Sequence, residues 1–372
     1  MGGQEKMKAI VKTIKPKQGQ RIIAISDIHG NLDVFIKLLK KIHFCHQDIL
    51  VIVGDLLEKG PKSLETLRYI MKLSRSHEVY PILGNCDMAL LSLNSNDDND
   101  RLKWYLKTHK SAIHEMYHVL GKIIDEDTDM SGLKANLLEH FHEEIEWLSN
   151  LPHILVAGQY IFAHAAIESE NLEENDVQSV ISNGGFLKEE HQFSHTVVVG
   201  HMPCVVYQDE VACANPIIDT KKNIISIDGG NVLNISGQLN ALIIPDCNHK
   251  KVSYDFMDLL PRAYVLKSQH PRKDKESINV RWTDGKVKVL EHSDGLSYCM
   301  HLITGQKLWI LDDVLSEEDG IMWADEGTDY ELTLEQGEEV SVVRMTSRGH
   351  LVKKDGVMGW YYGELELISE TE

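Results

Sequence analysis

At 372 residues the chain is long enough for two or three domains and an ample core, with the composition of an ordinary globular protein. Its formal charge of −19 excludes a general polyanion-binding surface, so no stable nucleic-acid binding is expected, although a small phosphorylated substrate held by a local metal remains open. Six scattered cysteines without a CxxC pair argue against a disulfide framework or zinc knuckle. With no apolar leader and no run of membrane-spanning length, a cytoplasmic protein without a membrane partner is expected.

Residues 1–20 read as an N-terminal extension. From "RIIAIS" to residue 245 short apolar, β-rich runs recur: "DILVIVG", "VYPILG", "ILVAG", "YIFAHA", "TVVVGH", "NIISID" and "ALIIP". Several are continuously hydrophobic, as strands buried on both faces should be. Helical periodicity separates the first three, over residues 31–43 with Asn31 as N-cap, and over "PKSLETLRYIMKLS" with its early proline. That alternation predicts βαβ units feeding a central sheet. Residues 88–150 read as a helical insertion, with the polar break "NSNDDND" near its start, and the acidic stretch 165–178 as a solvated loop. Residues 256–277 read as a polar, proline-containing linker. Beyond it, "HLITGQKLWILDDVL" (301–315) and "LVKKDGVMGWYYGELEL" (351–367) align, each with a glycine (Gly305, Gly356) four residues before a tryptophan (Trp309, Trp360). One or two small β-barrels over 278–372 account for the repeat, against a single irregular β domain.

Residues able to hold a metal follow the predicted strands. In "ISDIHGN" an extended backbone would point Asp27 and His29 the same way. Asp55 follows "ILVIV", Asn85 and Cys86 follow "VYPIL", His164 follows "YIFA" and His201 follows "TVVV". Each has an ordinary explanation, as a cap, a turn residue or a core histidine, but their recurrence at strand ends points to one shared edge. Asp27, His29 and Asp55 suit one ion; Asp55, Asn85, His164 and His201 suit a second, with Asp55 bridging. Mixed oxygen and nitrogen ligation favours manganese first, with iron or zinc as alternatives. Two such ions would clamp phosphoryl oxygens and activate a water.

The order Asp-x-His, Gly-Asp, Gly-Asn, His, Gly-His resembles the calcineurin-like metallophosphoesterases. Within them it is most similar to the phosphoprotein-phosphatase branch, which includes bacterial serine/threonine phosphatases and diadenosine tetraphosphatases. "GDLLEKGPKS" is similar to that branch's GDxxDRGxxS, "VVVGHMP" to its GHTP, and "NIISIDGGNVLNISGQLNALIIP" to its closing hairpin. The resemblance implies a four-layer αββα sandwich over residues 21–255 in place of one open sheet. It also implies hydrolysis of phosphomonoesters, on proteins or small molecules, by attack of a metal-bridging hydroxide.

Three positions depart from the family pattern. Cys86 stands where the family has a general-acid histidine, Glu58 where that histidine's aspartate partner stands, and Lys59 where a phosphate-binding arginine stands. The catalytic set implied is Asp55, Cys86, Glu58 and Lys59, with Lys59, Asn85 and His201 binding phosphate. A second arginine is missing, since residues 165–200 contain none; Lys188, His191 or His195 are the positional substitutes. A neutral thiol is a poorer acid than imidazolium, and lysine lacks the arginine fork. Substrates whose leaving group needs no proton would suffer least, so hydrolysis of nucleotide phosphoanhydrides or phosphodiesters is the alternative, and a weakly active metal-binding regulator the third reading. The paired C-terminal segments resemble bacterial SH3-like domains. That implies binding a protein or mediating dimerisation, with Trp309, Trp323, Trp360, Tyr361 and Tyr362 either forming an aromatic surface or filling barrel cores.

Overall fold

The structure is a computed structural model, and it describes residues 7–94, 99–271 and 276–369. Part of the polar break at 94–100 and part of the 256–277 segment lie outside the described residues. The chain divides into two compact units. The first comprises Met1–Met202, Pro216–Leu233 and Leu239–Met257; the second comprises Pro203–Asn215, Asn234–Gln238 and Asp258–Glu372.

Two sheets build the first unit. One contains β2 (Ile22–Ile25), β3 (Ile49–Val53) and β4 (Glu78–Ile82), mutually parallel, with Leu239–Ile244 antiparallel to β2 and Ser253–Met257 at the edge. The other runs β1 (Val11–Ile14), β5 (Ile154–Ala157), β6 (Tyr160–Ala163), β7 (Thr196–Val199), Ile224–Ser226 and Ile217–Asp219. β2 and β3 are apolar at every position because each side of their sheet is covered. Ile22, Ala24, Val51 and Val53 meet Leu155, Phe162 and Val198 of the second sheet. Ile23, Ile25, Leu50 and Ile52 share a cluster with Phe35 and Leu38 of α1 (Leu32–Lys41) and with Leu67 and Ile70 of α2 (Ser63–Ser74). The outer face of the second sheet packs Ile161 and Val197 against Val180 and Ile181. The layers are therefore αββα, and the single central sheet read from βαβ alternation is corrected to two.

The helical insertion holds α3 (Met88–Leu91), α4 (Asn99–Thr108), α5 (Ala112–Val119), α6 (Met130–His140) and α7 (His142–Ser149). Leu102, Met116, Leu137 and Leu148 join the same cluster as α1 and α2. The first turn of α2 is capped from this insertion, since the Glu115 carboxylate accepts from the Ser63 and Leu64 amides at 2.8 Å each. Asn31 sits at the N-cap of α1 without a capping bond; its amide donates to Asn231 at 3.0 Å instead. Within the acidic stretch 165–178, Ala165, Ala166 and Ile167 are buried, and the Asn175 side chain ties the loop by accepting from the Glu168 and Ser169 amides. It leads into α8 (Val177–Ser182).

The segment read as an N-terminal extension supplies β1, paired in parallel with β5 from Val11↔Ile154 to Ile14↔Ala157. The segment read as a linker supplies Arg262–Val265, paired with Glu339–Thr346 and Leu365–Leu367. Both are four-residue pieces with half-exposed positions, which carry little apolar signal.

The second unit is antiparallel throughout its described sheets. Its strand orders are Leu365–Leu367, Arg262–Val265, Glu339–Thr346, Gly349–Lys354, Val357–Tyr361, Ala212–Cys213, and Lys307–Leu311, Leu296–His301, Lys286–Ser293, Ile321–Ala324, Leu315–Glu318. The aligned segments fall at matching places. Each ends a three-stranded meander whose first strand carries a bulge, at Val289/Glu291 in one and Val342/Arg344 in the other. Their tryptophans differ in surroundings. Trp360 is buried with its indole N–H donating to the Thr328 carbonyl at 2.7 Å, whereas Trp309 lies under the Arg348 guanidinium, 3.7 Å from the ring centre. Tyr361 is buried, Trp323 is half-buried and Tyr362 is exposed. Among the described residues no helix is long and apolar enough to cross a membrane.

Candidate metal centre

Every expected ligand lies just past a strand of the first unit, but the strands belong to both sheets. Asp27, Asp55 and Asn85 follow β2, β3 and β4, while His164 and His201 follow β6 and β7. One sheet edge does not hold them; the ends of two facing sheets do. Nor do Asp27 and His29 converge through strand alternation. Both lie beyond the end of β2 in the left-handed region, with φ of 56° and 50°, and Asp55 and His201 share that conformation at 49° and 71°. The strained turn is held by its neighbour after β3: the Asp27 amide donates to Gly54 O, His29 to Asp55 O and Gly30 to Leu56 O. Two glycines allow the close packing. A Cβ on Gly84 would sit 2.1 Å from Asp55 Oδ1, and one on Gly200 2.3 Å from Asp27 Oδ2.

Asp55 is central. Its Oδ2 is 3.8 Å from His29 Nε2, and its Oδ1 is 3.4 Å from His164 Nε2. His29 Nε2 is also 3.8 Å from Asp27 Oδ1, and His164 Nε2 is 3.0 Å from Asn85 Oδ1. The His201 amide donates to Asp27 Oδ2 at 3.0 Å, and its ring lies 5.1 Å from that of His164. Asp27 Oδ1 and His29 Nε2 are buried without a hydrogen-bond partner. A separation of 3.8 Å is too long for a hydrogen bond, and buried polar atoms without a hydrogen-bond partner fit the ligation of a cation. The imidazoles of His29 and His164 have their other nitrogen toward a backbone carbonyl, His29 Nδ1 to Leu57 O at 3.3 Å and His164 Nδ1 to Val53 O at 2.9 Å, the arrangement that presents Nε2 to a metal. The electrostatics agree. Burial opposes charge on His164, yet Asp55 and Asp27 hold its imidazole up at about 10, so the pocket demands a positive charge. Burial and the neighbouring His164 push His201 down to about 4. The residues present fit two divalent ions.

The calcineurin-like phosphoesterase profile matches residues 20–223. The chain belongs to that family. Among curated proteins it is 30% identical over 166 residues to a symmetrical bis(5'-nucleosyl)-tetraphosphatase of Xanthomonas campestris pv. campestris, covering 44% of this chain and 46% of the relative. It is 32% identical over 155 residues to the protein of the same name from Vibrio parahaemolyticus, covering 34% and 57%. The chain thus spans about half the length of the curated relatives it matches. A solved protein serine/threonine phosphatase from Saccharomyces cerevisiae is 10% identical, covering 72% of this chain and 87% of that one, with a TM-score of 0.41.

The residues that depart from the family pattern are placed differently. Cys86 stays at the centre, its sulfur, a His29 nitrogen and an Asp55 oxygen all lying within 4.8 Å of one another. Burial and Asp55 push its thiol up, so it carries its proton. Lys59 is exposed on the wall of a cavity of about 550 Å³ that Asn85 and Cys86 also line. Partial desolvation against the cavity wall opposes its ammonium charge, but the Asp55 and Asp27 carboxylates hold it up. Glu58 turns the other way. Its carboxylate accepts from Tyr105 Oη at 2.7 Å, Ser111 Oγ at 2.9 Å and the Ala112 amide at 3.0 Å, all in the insertion. The substitutes for the missing arginine are engaged elsewhere: His191 with Glu189 at 2.9 Å and His195 with Glu170 at 2.6 Å, while Lys188 is exposed. The cations that do line the cavity beside Lys59 come from the insertion, Arg101 and Lys134, next to Trp104.

Two buried carboxylates were missed. Asp87 accepts from the Leu56, Leu57 and Gly84 amides and so braces the loops that carry Asp55 and Asn85. Asp228 accepts from the Gly230 amide, and burial beside Asp27 pushes its carboxyl up. Asp87 follows directly on Asn85-Cys86 and Asp228 stands in "NIISIDGG", so both lay inside segments already singled out; neither follows the ligand pattern.

Proposed function

We propose that the chain is a metal-dependent hydrolase acting on a phosphoanhydride bond of a nucleotide polyphosphate, the alternative of the two hydrolytic reactions expected from the sequence. The observation that carries this reading is the cavity beside Asn85 and Cys86, where Lys59 and Arg101 accompany Trp104, whose side chain is 62% exposed. An indole exposed in a cation-lined cavity is a stacking platform for a base, and base stacking contributes roughly 1–3 kcal/mol. Lys59 serves the phosphates as a point charge. Asp27, His29, Asp55, Asn85, His164 and His201 would hold two divalent ions, which supply Lewis acidity and an activated water.

The replacement of the family's histidine by Cys86 supports the same reading. With Glu58 committed to the insertion, Cys86 lacks a carboxylate partner of the family's kind and is a weak proton donor to a leaving alkoxide. A leaving phosphate needs no such proton. The names of the curated relatives agree.

The test is a comparison of diadenosine tetraphosphate, para-nitrophenyl phosphate and a phosphoserine peptide as substrates of the metal-loaded chain. The dinucleotide is expected to have the highest kcat/KM. Trp104→Ala should lower the ratio of dinucleotide to para-nitrophenyl phosphate kcat/KM by roughly tenfold. Preference for the phosphopeptide, or an unchanged ratio in the variant, would refute the proposal.

A further inference from the structure

We infer that Cys86 is itself a metal ligand, joining His29 and Asp55 around one of the two ions, and that the centre therefore selects zinc or iron over manganese and magnesium. The inference rests on the reading that the cluster binds ions, and it adds a donor that mixed oxygen and nitrogen ligation leaves out.

Among the described residues two triads of donor atoms cluster within 4.8 Å: Asp27, Asp55 and His164, and His29, Asp55 and Cys86. Asp55 belongs to both, as a bridging carboxylate must. In the second triad His29 Nε2 is fully buried, has no hydrogen-bond partner and faces Asp55 Oδ2 at 3.8 Å. The Cys86 backbone is fixed over the same carboxylate, because its amide donates to Asp55 Oδ1 at 2.8 Å. Its sulfur meets a weak donor in Asn85 Nδ2, at 3.6 Å, and on its other side the Asp55 carboxylate with which it would share the ion. The side chain is 9% exposed and lines the cavity, so an ion and solvent can reach it. The part implied by the resemblance, a proton donor paired with Glu58, is closed off by Glu58's three bonds to the insertion. A sulfur donor beside one nitrogen and carboxylate oxygen is a soft addition to a hard set, and thiolate ligation favours zinc and iron over manganese and magnesium. On coordination the thiol proton passes to solvent and sulfur binds as thiolate.

The experiment strips the full chain of metal and titrates it with Co2+, recording the absorption spectrum and the bound cobalt. The wild type should develop a near-ultraviolet thiolate-to-cobalt charge-transfer band. Cys86→Ser should bind cobalt, with visible ligand-field bands, and lack that band. Zinc affinity in the variant should fall roughly 10- to 100-fold, and manganese affinity by less. As a measurement independent of the variant's folding, added zinc should slow alkylation of Cys86 in the wild type by roughly tenfold and leave exposed Cys45 unchanged. Bound cobalt without a charge-transfer band, or equal alkylation of Cys86 with and without zinc, would overturn the inference while leaving the metal centre intact. Failure to retain any cobalt would overturn both.

Discussion

Replacing Glu58 with alanine should loosen the helical insertion before it touches the chemistry. The carboxylate is buried and accepts three hydrogen bonds, from Ser111 Oγ, the Ala112 amide and Tyr105 Oη. Ser111 is in turn the N-cap of α5, its hydroxyl accepting from the Ile113 amide at 3.2 Å. Truncation leaves the Ala112 amide and Ser111 hydroxyl buried without that acceptor, at about 1–3 kcal/mol for the amide and somewhat less for a hydroxyl that can rotate. Half-buried Tyr105 can turn to water at little cost. Together with the space vacated, the loss is about 3 kcal/mol, confined to the insertion. Glu58→Gln keeps one acceptor oxygen and should lose about 1 kcal/mol. The assay is amide hydrogen exchange over 99–119 in the full chain, because a two-unit protein gives no single unfolding free energy. Protection there should fall roughly 100-fold in the alanine variant. Unchanged protection combined with a loss of kcat would refute this reasoning and return Glu58 to the catalytic role its family position implies.

Asp55→Asn removes the carboxylate common to both donor triads, so bound metal after dialysis should fall below one ion per chain and metal affinity by roughly 100-fold or more; full retention of two ions would refute the bridging assignment. In the second unit Glu326 is buried, and burial pushes its carboxyl from 4.5 up to about 7 against the bond from the Ile235 amide, with Asp325 and Asp313 adding repulsion. The folded state therefore holds the proton more tightly, so its stabilising effect is complete below pH 4.5 and is lost as pH rises through 7, on the order of 3 kcal/mol in all. Melting curves of Glu326→Gln should lack this decline between about pH 4.5 and 7, and an identical decline in the variant would refute it. Lys353 and Asp258 form a buried pair at 2.6 Å, with Lys353 also donating to Ser236 O at 2.9 Å. Lys353→Met leaves the buried carboxylate with the Leu260 amide, the Ser341 hydroxyl and the Arg262 guanidinium at 3.7 Å, so the second unit should lose about 3 kcal/mol, the lower end for a broken buried pair, read from urea denaturation; a loss under about 1 kcal/mol would show the pair to be dispensable.

Much of the centre was legible because its signals are short-range. β2, β3, β4, β6 and β7 each announce themselves as apolar runs, and a ligand follows each within three residues. The glycines in Gly-Asn and Gly-His are legible for the same reason, since a side chain at Gly84 or Gly200 would collide with a ligand. What failed was whatever depended on partners distant in sequence. The strands of the β2 and β6 sheets are equally apolar, so hydrophobicity alone could not assign them to one sheet or two. The edge strand β1 and the strand Arg262–Val265 are too short and too exposed to stand out from an extension and a linker. Segments 203–215 and 234–238 join the second unit through contacts such as Ala212–Cys213 with Val357–Met358.

The sequence by itself determined which residues carry ligating atoms and that they stand just past strand ends, because apolar patterning and steric exclusion act over a few residues. Only the tertiary structure decided what each group faces. Glu58 and Cys86 occupy neighbouring places in one family pattern, yet one carboxylate is claimed by Tyr105 and Ser111, 47 and 53 residues away, while the thiol is left beside His29 and Asp55. A buried polar group goes to whichever partner satisfies it, and that partner leaves no trace in the residues around it.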